Sequence, residues 1–445
     1  MTQLAISRKR NQTWSEISYL EADSAGGRVM SRSFLTWMSV LIVVTGLLAG
    51  CAATPPTHTN SWLSYKYNST CNNCQDLTDT NEAINYYCAI GVDPVGCAAT
   101  PPNPSLTLYE WTNTYLFGRE TTIYANLGDL RIGRFMQCSQ TGQNVACSVT
   151  NYGPPPFDTA HNKRNCDWAG CDLRGVPFYD FPQIDQAILG AIEAEADYFD
   201  PDLHPFATVA MTFTASSGGT TGANDVKFYA FDQDGNLLLN PALDGEGPKT
   251  NPRMCMACHG GTYDPSTHSV TGASFLPFDV FYFQFFNKTL GSIGSNLYNV
   301  SAFSNLNDEQ ESLRRQNAIV KATNPTPAIK EVIDGMYPDG VGNRDSLAVD
   351  GFVPNGWSGH ENLYNSVVRQ YCRTCHLASS TDFATYQKFK DSARSIENLV
   401  CETHDMPHAE VPYALFWLKD KLAQNDLREF LRTELPSGTD LHDCK

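Results

Sequence analysis

Basic side chains are scarce in this 445-residue chain: 31 Lys and Arg stand against 48 Asp and Glu, for a formal charge of −17. A phosphate backbone needs a basic face, so nucleic acid is excluded as a partner. Histidine is scarcer still, at ten residues. There is no GxGxxG fingerprint, phosphate-binding loop, GxSxG elbow or HExxH pair, and hydrolytic chemistry therefore has no foothold. Asp232, Asp234 and Asn236 have the spacing of calcium ligands, but the rest of an EF-hand loop and its Glu are missing. Charge runs, long low-complexity tracts and fixed-period repeats are absent too. With 42% hydrophobic and 11% aromatic residues, the chain can bury a real core, which excludes disorder throughout.

What the chain has in excess is cysteine, 15 residues. In a reducing cytosol these would call for a metal or catalytic role, whereas in an oxidising compartment they can pair. Residues 34–50, FLTWMSVLIVVTGLLAG, form one uncharged apolar run that is short for a membrane span and ends in small residues before Cys51. Leu48-Ala49-Gly50-Cys51 resembles the bacterial lipobox. That resemblance implies a signal peptide over 1–50, cleavage before Cys51, acylation of that cysteine and attachment to the cell envelope. An uncleaved anchor is the alternative. Ala52 stands where an Asp would resemble the inner-membrane retention signal, which points to the periplasmic face of the outer membrane. Translation can start at Met1 or Met30 with the same mature end.

Residues 51–60 read as a Pro/Thr tether. The remaining length suits two or three domains. Residues 61–250 read as a β-rich, disulfide-containing domain: LTLYEW (106–111), TTIYANL (121–127) and ATVAMTFT (207–214) are β-branched and aromatic. Residues 225–239 suit a hairpin turning at Asp234-Gly235. One helix is expected over 183–197, with Glu193, Glu195 and Asp197 on its solvated face. Beyond 250 the texture becomes helical, over 307–322, 326–336, 361–372 and 425–435, with Asn307 and Asn425 as N-caps. The fold class expected is α+β: a mostly-β N-terminal domain, a first haem-binding region over 251–349 and a second over 350–445.

The haem expectation rests on two segments. Cys255-Met256-Ala257-Cys258-His259 and Cys372-Arg373-Thr374-Cys375-His376 are both CxxCH, the attachment pattern of c-type haem. Two thiols separated by two residues can reach the two vinyl groups of one porphyrin as thioethers, and the adjacent His then falls beneath the iron. Two covalently bound haem c groups are thus expected, with His259 and His376 as proximal ligands. The competing reading of each segment is a disulfide CxxC beside an incidental His.

Residues 350–445 resemble a class I cytochrome c domain. CxxCH there ends a helical segment, ENLYNSVVRQYCRTCH, Met406-Pro407 follows thirty residues after His376, and the helical NDLREFLRTEL closes the chain. The resemblance implies that Met406 is the sixth iron ligand, which raises the reduction potential; His404 and His408 are the rivals. The first segment departs from that family. Gly247-Pro248 and Pro252 precede it, so no regular helix leads into Cys255, and Gly260-Gly261 lets backbone approach the porphyrin. For its sixth ligand Met336, His268, His204, His161 and Met211 stay open, as does no ligand at all. The aromatic run 273–286 is ordinary core or packs on the haem.

One lipid cysteine and four haem cysteines leave ten: Cys71, Cys74, Cys88, Cys97, Cys138, Cys147, Cys166, Cys171, Cys401 and Cys444. Cys138 and Cys147 flank a turn sequence, Thr141-Gly142-Gln143-Asn144, and can pair across it; Cys401 and Cys444 can close the C-terminus. Cys71-Asn72-Asn73-Cys74 lacks the setting of a redox dithiol and reads as structural.

The function expected is one-electron transfer between periplasmic or membrane redox proteins carrying basic docking patches. The alternatives are a haem oxidoreductase reacting at the first haem, a haem-based sensor, and an assembly protein. Dihaem bacterial cytochrome c peroxidases are similar in carrying two CxxCH segments, but the long β-rich region before Cys255 departs from them.

Overall fold

In a computed structural model of the chain, the β-branched and aromatic runs pair into one antiparallel sheet. β1 (Glu120–Asn126), β2 (Gly133–Thr141), β3 (Asn144–Tyr152), β4 (Pro205–Ala215) and β5 (Asn224–Asp232) lie side by side in that order. β6 (Thr262–Asp264) and β7 (Ser269–Thr271) form a separate hairpin, and β8 (Phe283–Gln284) pairs with the free edge of β1. The structure describes residues 79–116, 118–126, 128–129, 132–152, 157–158, 163–164, 205–216, 223–243, 247–285, 306–379, 381–402, 409–439, 441 and 444. The expected helix over 183–197 lies outside them, as do Cys51, Cys71, Cys74, Cys166 and Cys171.

Register decides what each sheet face carries, because side chains alternate with period two. Tyr124 pairs with Arg134, Met136 with Val149, and Cys138, Cys147, Met211 and Phe228 line up across four strands. These residues share one face. From the other, Tyr229 packs on Trp111 and Tyr115, ring centroids 5.9 and 6.4 Å apart. β2 and β3 turn through Gly142, whose φ of 60° suits a residue without Cβ. The expected Cys138–Cys147 pair bridges this hairpin at directly opposed positions, Cα atoms 4.1 Å apart.

Helices also enter the N-terminal part: α1 (Thr80–Ala89), α2 (Pro94–Cys97) and α3 (Leu108–Tyr115). α1 and α2 are joined by a Cys88–Cys97 disulfide. The run 106–111, expected as a strand, is instead the start of α3. Thr107 caps the Glu110 amide and Glu110 reaches back to the Thr107 amide, a capping box that outweighs the β-branched composition. The expected hairpin after β5 is abbreviated. Asp232 spends its carboxylate on the amides of Asp234 and Asn236, and the chain returns to β5 as an isolated bridge from Leu237 to Phe231, while Asn236 bridges Thr107.

The C-terminal half is helical: α4 (Arg253–His259), α5 (Leu306–Ala322), α6 (Pro327–Met336), α7 (Glu361–Leu363) with a π-helical continuation (Tyr364–Cys372), α8 (Tyr386–Asp391), α9 (Ala393–Ile396), α10 (Glu410–Lys419) and α11 (Lys421–Glu434). α5 begins at Leu306, one residue before the expected cap Asn307. α11 is capped by Asp420, whose carboxylate accepts from the Ala423 amide, which places Asn425 inside the helix. The fold is α+β.

One buried core takes in the sheet, α5, α6 and Leu377; a second gathers Trp357, Tyr364, Val367, Phe389, Phe416 and Leu431. Cys401 and Cys444 join inside the second core as expected. Closing that 43-residue stretch is worth about 4 kcal/mol in the chain-entropy picture. Among the described residues no helix is long and apolar enough to cross a membrane.

Candidate functional site

α4 carries the first CxxCH, and a buried polar clamp fixes where it starts. Asn251 donates to Tyr87 Oη at 2.7 Å and to the Phe228 carbonyl at 3.2 Å, tying the segment to α1 and β5. Arg253 makes a two-pronged ion pair with Glu82 at 2.7 and 3.1 Å. As the prolines before it require, the helix begins only after Pro252. It ends at Gly260, in a backbone conformation (φ 66°, ψ −153°) that is essentially reserved for glycine.

At the end of α4, His259 and Ser274 exchange contacts. The Ser274 amide donates to the His259 carbonyl, and His259 Nδ1 lies 2.9 Å from the Ser274 carbonyl. Only a protonated Nδ1 satisfies that carbonyl, which leaves Nε2 as the free donor atom. Burial, opposed by the Ser274 bond, lowers the His259 pKa to about 4, so the ring is neutral at physiological pH. Burial also raises the Cys255 thiol, which stays protonated.

The second CxxCH repeats the arrangement from different elements. The π-helical segment ends at Cys372, and the His376 amide closes a turn onto the Cys372 carbonyl at 3.1 Å. His376 Nδ1 lies 2.6 Å from the Thr381 carbonyl, and its ring stacks on Phe383 at 4.2 Å. Burial lowers the His376 pKa and pushes the Cys372 thiol up to about 12. Arg373, between the two cysteines, is buried against Asp279, with contacts of 2.7–2.8 Å, and donates to Tyr364 Oη at 2.9 Å. Tyr282 donates to the Arg369 carbonyl beside it.

Each motif borders its own cavity. Cys255, Cys258 and His259 line a partly open cavity of about 230 Å³ on the sheet face formed by Tyr124, Arg134, Met136 and Phe228. Cys372, Cys375 and His376 line one of about 290 Å³, walled by Tyr371, Phe389, Leu399, Tyr413 and Phe416. Cys375 belongs to both walls. There the two motifs meet, with Cys258 Sγ 3.2 Å from Cys375 Sγ. Contact with Cys258, then burial, holds the Cys375 thiol well above its ordinary range.

Met211 alone of the sixth-ligand candidates for the first motif is described and lines its cavity. Met336 is 2% exposed on the buried face of α6 and does not line it, and His268 sits at the β6–β7 turn bonded to Tyr263 Oη at 3.0 Å. His161, His204, His404, Met406 and His408 lie outside the described residues. Met136, two strands from Met211 on the same sheet face, also lines the cavity, as does the ion pair of Arg134 with Asp129 at 2.8 Å. Sequence reasoning passed over both, because only the strand register reveals their neighbours. Among the described residues no three His, Cys, Asp or Glu side chains converge as a metal cluster. No protein-family model, curated protein or solved structure matches the chain.

Proposed function

We propose that this chain is a lipid-anchored dihaem c-type cytochrome that relays single electrons between redox partners at the periplasmic face of the outer membrane. The observation that carries this reading is the duplication of one donor geometry. Two CxxCH segments on unrelated elements each turn Nδ1 of the histidine to a backbone carbonyl and border a largely apolar cavity with both cysteines. A disulfide CxxC with an incidental His has no need of that imidazole geometry, and none of the four cysteines is joined in a disulfide. Cys255 and Cys258 would hold one haem, and Cys372 and Cys375 the other. Each thiol would add across a vinyl group, S–H and C=C becoming S–C and C–H, with no oxidant required. Bound there, haem supplies an iron that cycles between ferric and ferrous states. The protein contributes neutral imidazoles at fixed orientation and a burial that favours the lower-charged state.

Met211 and Met136 are the strand-borne thioethers available to the first site, and Met406 is the expected sixth ligand of the second. The net charge of −17 would steer the protein to basic patches on its partners, in a salt-sensitive encounter.

A haem oxidoreductase is the second reading, favoured by the Arg134–Asp129 pair in the first cavity wall. Low-temperature EPR of the oxidised holoprotein separates the two. Two low-spin signals and no peroxide turnover are expected for the electron carrier; a high-spin signal with peroxide turnover would overturn that reading in favour of the enzyme.

A further inference from the structure

The two haem sites are not merely in the same chain; their attachment segments touch. Cys258 Sγ and Cys375 Sγ are 3.2 Å apart, a thiol–thiol hydrogen bond that sets the two attachment points side by side. The contact is repeated two residues on. A Cβ at Gly260 would fall 2.0 Å from the Ala378 carbonyl oxygen, so the backbone after His259 lies directly on the backbone after His376. Each motif also walls the other's cavity: Thr374 and Cys375 line the first, Ala257 lines the second. A third tie is the buried Arg373–Asp279 ion pair, which joins the middle of the second motif to the segment that follows the first.

Resting on the dihaem reading above, we propose that Cys258 and Cys375 form a sulfur–sulfur contact that couples the two haems into a single redox pair. With haem attached, each of these sulfurs would carry the carbon next to a porphyrin ring, so attachment points this close would bring the two ring edges near one another through space. An electron passing between two haems held here would oxidise one iron by one unit and reduce the other by one, with no proton or co-reactant needed. Charge at one site then acts on the other through protein of low dielectric, and reduction of the first haem disfavours reduction of its neighbour. Electrons would therefore enter the pair in two separated steps and equilibrate within it.

The holoprotein tests this without any substitution. Covalent haem is first quantified, then circular dichroism is recorded across the Soret band, and EPR is recorded fully oxidised and after half-reduction with a stoichiometric one-electron donor. The expected result is two haems per chain, a two-signed Soret couplet, and an oxidised EPR signal broadened by spin coupling that sharpens on half-reduction. In one-haem variants, Cys255→Ala/Cys258→Ala and Cys372→Ala/Cys375→Ala, the couplet should be lost. Two covalent haems with no couplet and no sharpening would overturn the proposal and leave the cytochrome reading intact. Fewer than two covalent haems would overturn the dihaem reading itself, and the coupling with it.

Discussion

Replacing Asp279 by Ala is expected to destabilise the protein by about 3–5 kcal/mol, the range for removing one partner of a buried ion pair. Asp279 is 5% exposed and Arg373 3% exposed, and the guanidinium donates to the carboxylate at 2.7–2.8 Å. Without that carboxylate, Arg373 keeps its bond to Tyr364 Oη and the ring faces of Phe281, Tyr282 and Tyr364. A buried cation with so little compensation must drag water in or move out. Either response displaces the turn between Cys372 and Cys375. Urea unfolding should show a lower midpoint for Asp279→Ala, and haem content should fall at the second motif first. The paired replacement Asp279→Leu/Arg373→Met should be less damaging than Asp279→Ala alone, because it removes the stranded charge. A double variant as unstable as the sum of the two single variants would show that the pair is not coupled.

Gly260→Ala, at the residue that follows the first motif, is expected to be strongly destabilising for so small a change. At φ 66° and ψ −153° an L-residue is strained by about 1–3 kcal/mol. The added methyl would also lie 2.0 Å from a backbone oxygen, Ala378 O, which cannot rotate away. Forced displacement of that kind costs about a further 1–3 kcal/mol. Gly272→Ala is the control: its φ is 74°, yet nothing lies within 4 Å of the added methyl, so it measures strain alone. Gly260→Ala should lower the unfolding midpoint more than Gly272→Ala does. Equal effects of the two would mean that the motifs do not press together at this point.

The sequence made local features readable and long-range ones invisible. Cys138–Cys147 follows from two cysteines equidistant from a turn, and Cys401–Cys444 from the absence of other spare thiols nearby. The strands over 121–127 and 207–214 carry their own β-branched pattern. α3 departs from the strand expected of its composition because the Thr107–Glu110 capping box starts a helix there. The CxxCH pairs are legible as motifs. Their meeting is not, since Cys258 and Cys375 stand 117 positions apart. Arg373 was in view inside its motif, but its partner Asp279 lies 94 positions away and is brought there by packing of the segment after α4. Met336 illustrates the converse: the methionine of DGMYPDG is a ligand candidate by residue type despite its long spacing from His259, while the periodicity of α6 turns it into the core.

The most direct test of the central claim is the mass of the denatured, mature protein after production with c-type haem maturation machinery, with the haem-bearing peptides identified. The expected result is a chain retaining the mass of two haems through denaturation, one on the Cys255–His259 peptide and one on the Cys372–His376 peptide. A chain that denatures to its bare polypeptide mass, with those four cysteines as thiols or disulfides, would contradict it.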